Sequence, residues 1–245
     1  MTPKLKLLLT KLTPIVRGEM LNFYEGQSTS GICLETSRCL RVVLRHYGFD
    51  PRPCSVFIHV HNSVTTGVLV SNAALPDAEL VKLINKSWDN GGWSVGTAAQ
   101  RTVANPMIDR PNGGYNGHLI LEVQDVLVDA AIRQYDRPEH NIFMPDILVT
   151  PIPAGFAEGV PAKQMVNGCL VVQHRTGDQQ FRRMPGWSKR NGVNSEHEHN
   201  VVERKVVNAI IGRCDLHEQE THAVNDGEDG TDNNDLGGEQ QSVAV

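Results

Sequence analysis

Apolar side chains recur at helical spacing between Gly31 and Tyr47. Cys39, Leu40, Val43, Leu44 and Tyr47 fall on one side, while Arg38, Arg41 and Arg45 share the other. The pattern predicts an amphipathic helix with one packed and one wet face, stopped by Gly48. Cys54 to Val60 and Gly67 to Ser71 read as strands, and Pro76 to Lys86 as a short helix with proline at its start. Residues 87–117 hold Trp88-Asp89-Asn90-Gly91-Gly92-Trp93 and Pro111-Asn112-Gly113-Gly114-Tyr115. That is too much turn chemistry for regular structure, and the stretch reads as a functional loop.

His118 to Val123 and Val126 to Ala131 form a strand pair about Gln124-Asp125, followed by strands at Ile147 to Ile152 and Gly168 to His174. Ser195 with Glu198 makes a capping box before the apolar stripe Val201, Val202, Val206, Ile210 and Ile211, which predicts a last helix docked on the body. Helices followed by runs of strands give an α+β class with an antiparallel sheet.

Composition narrows this further. The chain has 245 residues, 40% of them apolar, enough for a core. Residues 215–245 carry nine acids and no Lys or Arg, which leaves nineteen acids against twenty-three bases before them. The chain therefore divides into a single domain over 1–214 and an acidic tail over 215–245, expected to be disordered because it cannot bury enough surface to offset its ordering entropy. Such a tail serves as a solubilising extension or as a contact for a basic protein partner. No apolar run is long enough to span a bilayer, and the Leu7-Leu8-Leu9 block near the start is short, so no membrane role is expected. The five cysteines are odd in number and form no CxxC pair, which suits reduced thiols in a cytoplasm.

Several motifs lead nowhere. Gly91, Gly92 and Gly96 match neither a phosphate loop nor a dinucleotide fingerprint. The segment from Phe181 to Arg190 mixes bases with aromatics but reads as a solvated loop, so nucleic acid is not an expected partner. His59 with His61 and His197 with His199 each lack a spaced third ligand, so neither metal nor other cofactor is expected.

The chemistry gathers on three residues. Cys33 lies in the first turn of the first strong helix, after the capping candidates Ser28, Thr29 and Ser30, where free amides and the helix dipole favour a thiolate. The competing reading is a packed cysteine, a residue type often found buried. If the hairpin turns evenly between Gln124 and Asp125, Asp129 faces Ile120 and shares a sheet face with His118, within diagonal reach. Leu119, Leu121, Val123, Val126, Val128 and Ala130 then form the apolar face. An odd-numbered turn would separate the pair. A carboxylate orienting an imidazole beside a thiol is the Cys-His-Asp form of the nucleophilic triad. Gln27 is a fourth candidate, as an oxyanion donor or as a loop glutamine facing water. Trp88, Trp93 and Tyr115 are candidates for walling the acyl site or for plain packing.

The run Gly31-Ile32-Cys33-Leu34-Glu35-Thr36-Ser37-Arg38-Cys39-Leu40, continuing to Phe49 and a strand, resembles the cysteine helix of transglutaminase-like and related papain-like proteins, of bacterial or phage type. Gly117-His118-Leu119-Ile120-Leu121-Glu122-Val123 and Leu127-Val128-Asp129-Ala130 resemble their His and Asp strands. The resemblance covers roughly residues 25 to 140 and implies Cys33 as nucleophile, His118 as general base and then acid, and Asp129 as orienting carboxylate. Gln27 matches the spacing of the oxyanion glutamine in papain-like peptidases, without their Cys-Gly-Ser-Cys-Trp signature. The expected activity is acyl transfer from an amide or peptide substrate, to water or to an amine. The alternative is a catalytically inactive scaffold of the same fold that binds a protein partner.

Overall fold

The computed structural model describes residues 1–23, 32–97, 117–176, 180–183 and 204–215. Among them the class is α+β with an antiparallel sheet, as expected, and the sheet has seven strands. Helix α1, Pro3–Phe23, has no counterpart in the sequence reading. Leu5, Leu8, Leu9, Leu12, Val16 and Met20 recur every three to four residues and are buried, while Leu7 is 59% exposed, so the leucine block is one part of a longer stripe. Helix α2, Cys33–His46, is the amphipathic helix expected. Gly48, at φ 86°, takes the left-handed turn that ends it.

Strand β1, Arg52–His61, follows. The strand expected at Gly67 to Ser71 is instead part of helix α3, Ser63–Ser71. Buried Asn62 caps that helix, its side chain accepting from Thr65 N–H at 3.1 Å, and this local start overrides the β-branched composition. Helix α4, Asp77–Trp88, begins after Pro76. The loop read over 87–117 contains a short strand, β2, Ser94–Gly96, and its remainder over 98–116 lies outside the described residues.

Next come β3, His118–Val123, β4, Val126–Asp129, and β5, Leu148–Pro151. Two further strands, β6, Ala162–Val166, and β7, Cys169–Arg175, are joined by Asn167 and Gly168, both at positive φ, the backbone of a tight hairpin turn. The order β5-β4-β3-β1-β7-β6, with β2 paired to the end of β1 at His59–His61, beyond the stretch that pairs β3, brings β5 and β6 against each other and nearly closes the sheet.

The β3–β4 register pairs Leu121 with Val128 and Val123 with Val126, which is the even-numbered turn. Leu121, Val123, Val126 and Val128 form one core with α1, α2 and a final helix, α5, over 204–215, which supplies Val206, Val207, Ile210 and Cys214. The opposite face packs Cys54, Val56, Ile120 and Leu127 against Phe156 and Ala162 inside the curled sheet. The arginine face of α2 is not uniformly wet: Arg38 is only 8% exposed. Ser195, Glu198, Val201 and Val202 lie outside the described residues, as do 216–245 of the acidic tail. No helix among the described residues is long and apolar enough to cross a membrane.

Candidate active site

Cys33 is the first residue of α2. The capping expectation needs correction: Ile32 occupies the cap with no side-chain bond, and Ser28, Thr29 and Ser30 lie outside the described residues, as does Gln27. The first helical bond runs from Thr36 N–H to the Ile32 carbonyl at 2.9 Å. Amides of the first turn, including that of Cys33, therefore have no intrahelical acceptor and carry the positive end of the dipole. Ser37 Oγ donates to the Leu119 carbonyl at 2.8 Å, a buried bond that seats α2 beside His118.

The Cys33 side chain is buried among Leu119, Ala131 and Phe181, with Ile32 and Leu34 partly buried against them. Exposure does not single it out, because all five cysteines are buried free thiols. Its neighbour does, since the Cys33 sulfur lies close enough to the His118 ring to raise its pKa.

That ring is fully buried and held from several sides. Nε2–H donates to Asp129 Oδ2 at 2.7 Å, and Nδ1 meets Gln134 Nε2 at 2.6 Å. The Tyr135 ring meets it edge-on at 5.3 Å. Asp129 is oriented in turn: its Oδ1 accepts from Ala131 N–H at 2.9 Å. The even-numbered turn is what puts Asp129 on the face of His118, and β1 completes the frame by pairing Val56 with His118.

Burial works against charge on His118, yet the Asp129 carboxylate, its hydrogen bond and the Cys33 sulfur outweigh it and raise the ring from 6.5 to about 10. The shift favours the imidazolium, held between a carboxylate and a sulfur. The thiols of Cys39 and Cys54 are pushed up to about 12, chiefly by burial.

Gln134 is the residue that sequence reasoning missed. It sits on a 3-10 helix, Ile132–Tyr135, braced by Arg133, whose Nε and Nη1 bond Asp136 and Asp146 at 3.0 Å each. No motif spacing links it to His118 sixteen positions earlier; the 3-10 turn after Asp129 folds it back. A ring protonated on both nitrogens cannot accept from an amide N–H, so the two charge states of His118 need opposite orientations of the Gln134 amide.

The remaining candidates lie elsewhere. His59 and His61 stack at 6.1 Å on β1, with His174 at 6.3 Å from His59. Burial lowers all three, His61 to about 4. No group of three His, Cys, Asp or Glu among the described residues is placed to hold a metal ion. Trp88 and Trp93 line a cavity with His59 and His61, away from the Cys33 cluster, while Tyr115, His197 and His199 lie outside the described residues. No protein-family model, no curated protein and no solved structure matches the chain.

Proposed function

We propose that the chain is a cysteine-nucleophile acyl-transfer enzyme of papain-like or transglutaminase-like kind, acting on an amide or peptide bond. The observation that carries this reading is the buried chain of partners from Cys33 through His118 to Asp129. A protonated imidazole beside a sulfur favours the thiolate. In the proposed reaction the Cys33 sulfur attacks the carbonyl carbon, and the developing oxyanion takes hydrogen bonds from first-turn amides of α2. His118 then gives its Nδ1 proton to the leaving amine as the C–N bond breaks, leaving a thioester on Cys33 and an amine product. Water regenerates the enzyme with release of the acid, His118 taking a proton from it; an amine acceptor gives a new amide instead. Asp129 holds the ring from Nε2, which leaves Nδ1 as the nitrogen for proton transfer. Five unpaired thiols fit a cytoplasmic setting.

The 4% exposure of Cys33, under Phe181, favours a second reading, a catalytically silent scaffold that binds a protein partner. The two differ in thiol chemistry. Under the enzyme reading iodoacetamide at neutral pH labels Cys33 faster than Cys39, Cys54, Cys169 and Cys214, as followed by peptide mass spectrometry, and His118→Ala slows that labelling. Equal rates at all five thiols, or protection of Cys33 alone, establish the scaffold.

A further inference from the structure

A second site lies apart from Cys33 and His118, between α4 and the edge formed by β1 and β2. It is a cavity of about 500 Å³ lined by Ile84 and Trp88 of α4, by Trp93 and Val95, and by His61 and Arg137, among others. That volume is in the range of small-molecule sites. Trp88 and Trp93 are each 37% exposed, with ring centroids 6.1 Å apart, so two large indoles stand side by side in contact with water. Such surface is costly to leave open and marks a place where an aromatic group is covered.

The wall is built rather than incidental. Trp93 stacks on His140 at 3.7 Å with 9° between the planes. Asn62, 2% exposed, fixes both: its Oδ1 accepts from the main-chain N–H of Trp93 at 3.0 Å, and its Nδ2 donates to the His140 carbonyl at 3.1 Å and the Gly91 carbonyl at 2.8 Å. One indole face is thereby occupied and the ring held. On β1, His61 Nδ1 bonds Ser94 Oγ at 2.7 Å.

The charge is one-sided. No carboxylate is among the described residues lining the cavity, and Arg137 is the cation there. Its Nη1 donates to the carbonyls of Gln134 and Asp136, which sets the guanidinium in place, while Nε and Nη2 have no partner among the described residues. A guanidinium with donors to spare beside apolar walls suits a planar anion, above all a carboxylate. We propose that this cavity, with Trp88 and Trp93 as its aromatic wall and Arg137 as its cation, is a binding site for a small planar aromatic carboxylate. The site goes beyond the acyl-transfer reading and does not depend on it.

The test uses the full chain with Trp187→Phe, so that emission comes from Trp88 and Trp93. Titration with 2-naphthoate is expected to quench this emission to saturation. The uncharged 2-naphthamide is expected to bind about tenfold more weakly or worse, the loss of one charge-assisted contact. In Arg137→Met, naphthoate affinity falls to that of the amide while amide binding is unchanged. Ile84→Trp, which fills the cavity, abolishes binding of both. Linear quenching without saturation, equal affinity for naphthoate and naphthamide in the parent, or unchanged binding in Ile84→Trp overturns the proposal. The last two decide it even where Arg137→Met does not fold.

Discussion

At the scale of single residues, the site turns on which group faces each nitrogen of His118. Asp129 holds Nε2, and that pairing was legible in the sequence because strand alternation and an even-numbered turn place the two side chains on one face. Gln134 at Nδ1 was not legible, since its position depends on a 3-10 turn braced by Arg133, Asp136 and Asp146. In the imidazolium the Gln134 amide, turned to present its oxygen, competes with the Cys33 sulfur for the remaining ring proton. Gln134→Leu keeps the bulk and removes the competitor, so alkylation of Cys33 near neutral pH is expected to rise several-fold, with its pH dependence shifted. Gln134→Glu places a second acceptor against the ring and is expected to hold His118 protonated to higher pH, seen in the NMR titration of its ring nitrogens. Unchanged alkylation in the first variant and an unchanged titration in the second would show that the amide only fills space.

At the scale of elements, the readable parts are those whose periodicity is amphipathic, such as α2 and the β3–β4 hairpin; the exception is α3, where Val68 and Val70 between Gly67 and Ser71 suggest a strand until the Asn62 cap is seen. The β6–β7 hairpin carried its own signal, Asn167-Gly168, which the reading of β7 passed over. Gly168 sits at φ 79°, so Gly168→Ala is expected to destabilise by about 1–2 kcal/mol, measured by urea unfolding. A cost near zero would mean that the turn relaxes to another type. The 3-10 helix Gln180–Arg183 matters for access, because its Phe181, 1% exposed, packs in the cluster over Cys33. Phe181→Ala is expected to speed iodoacetamide labelling of Cys33 at least tenfold, a change of about 1.4 kcal/mol in the opening required, while leaving Cys54 in its separate core unaffected. Parallel increases at both thiols would instead report global loosening.

At the scale of the whole molecule, three distant segments close around the sheet. Arg213 of α5 bonds Glu19 of α1 at 2.8 Å, and Tyr47 donates to Asp215 at 2.8 Å, so the first and last helices share the core that backs β3 and β4. Leu7-Leu8-Leu9 alone is too short a block to predict α1, and without α1 the outer face of the hairpin has no full cover. Enclosure on both sides of the sheet is what makes the charge on His118 a property of global stability. The ring titrates near 6.5 when unfolded and is raised to about 10 when folded, so the folded state binds the extra proton between those values. The resulting stabilisation is fully present below about pH 6.5 and is lost as pH rises toward 10, on the order of a few kcal/mol for the whole window. Buried Cys39 and Cys54 also weaken the fold at alkaline pH, because their thiols ionise more readily once unfolded. The informative quantity is therefore the stability of the parent minus that of His118→Gln, in which those thiols are retained. This difference is expected to shrink steadily from pH 6.5 to 10 in urea unfolding. In Asp129→Asn the sign reverses: burial without the carboxylate leaves the folded ring neutral, and stability rises with pH through about 6.5. A difference that stays flat across the window, with no reversal in Asp129→Asn, would remove the protonated imidazole on which the acyl-transfer reading rests.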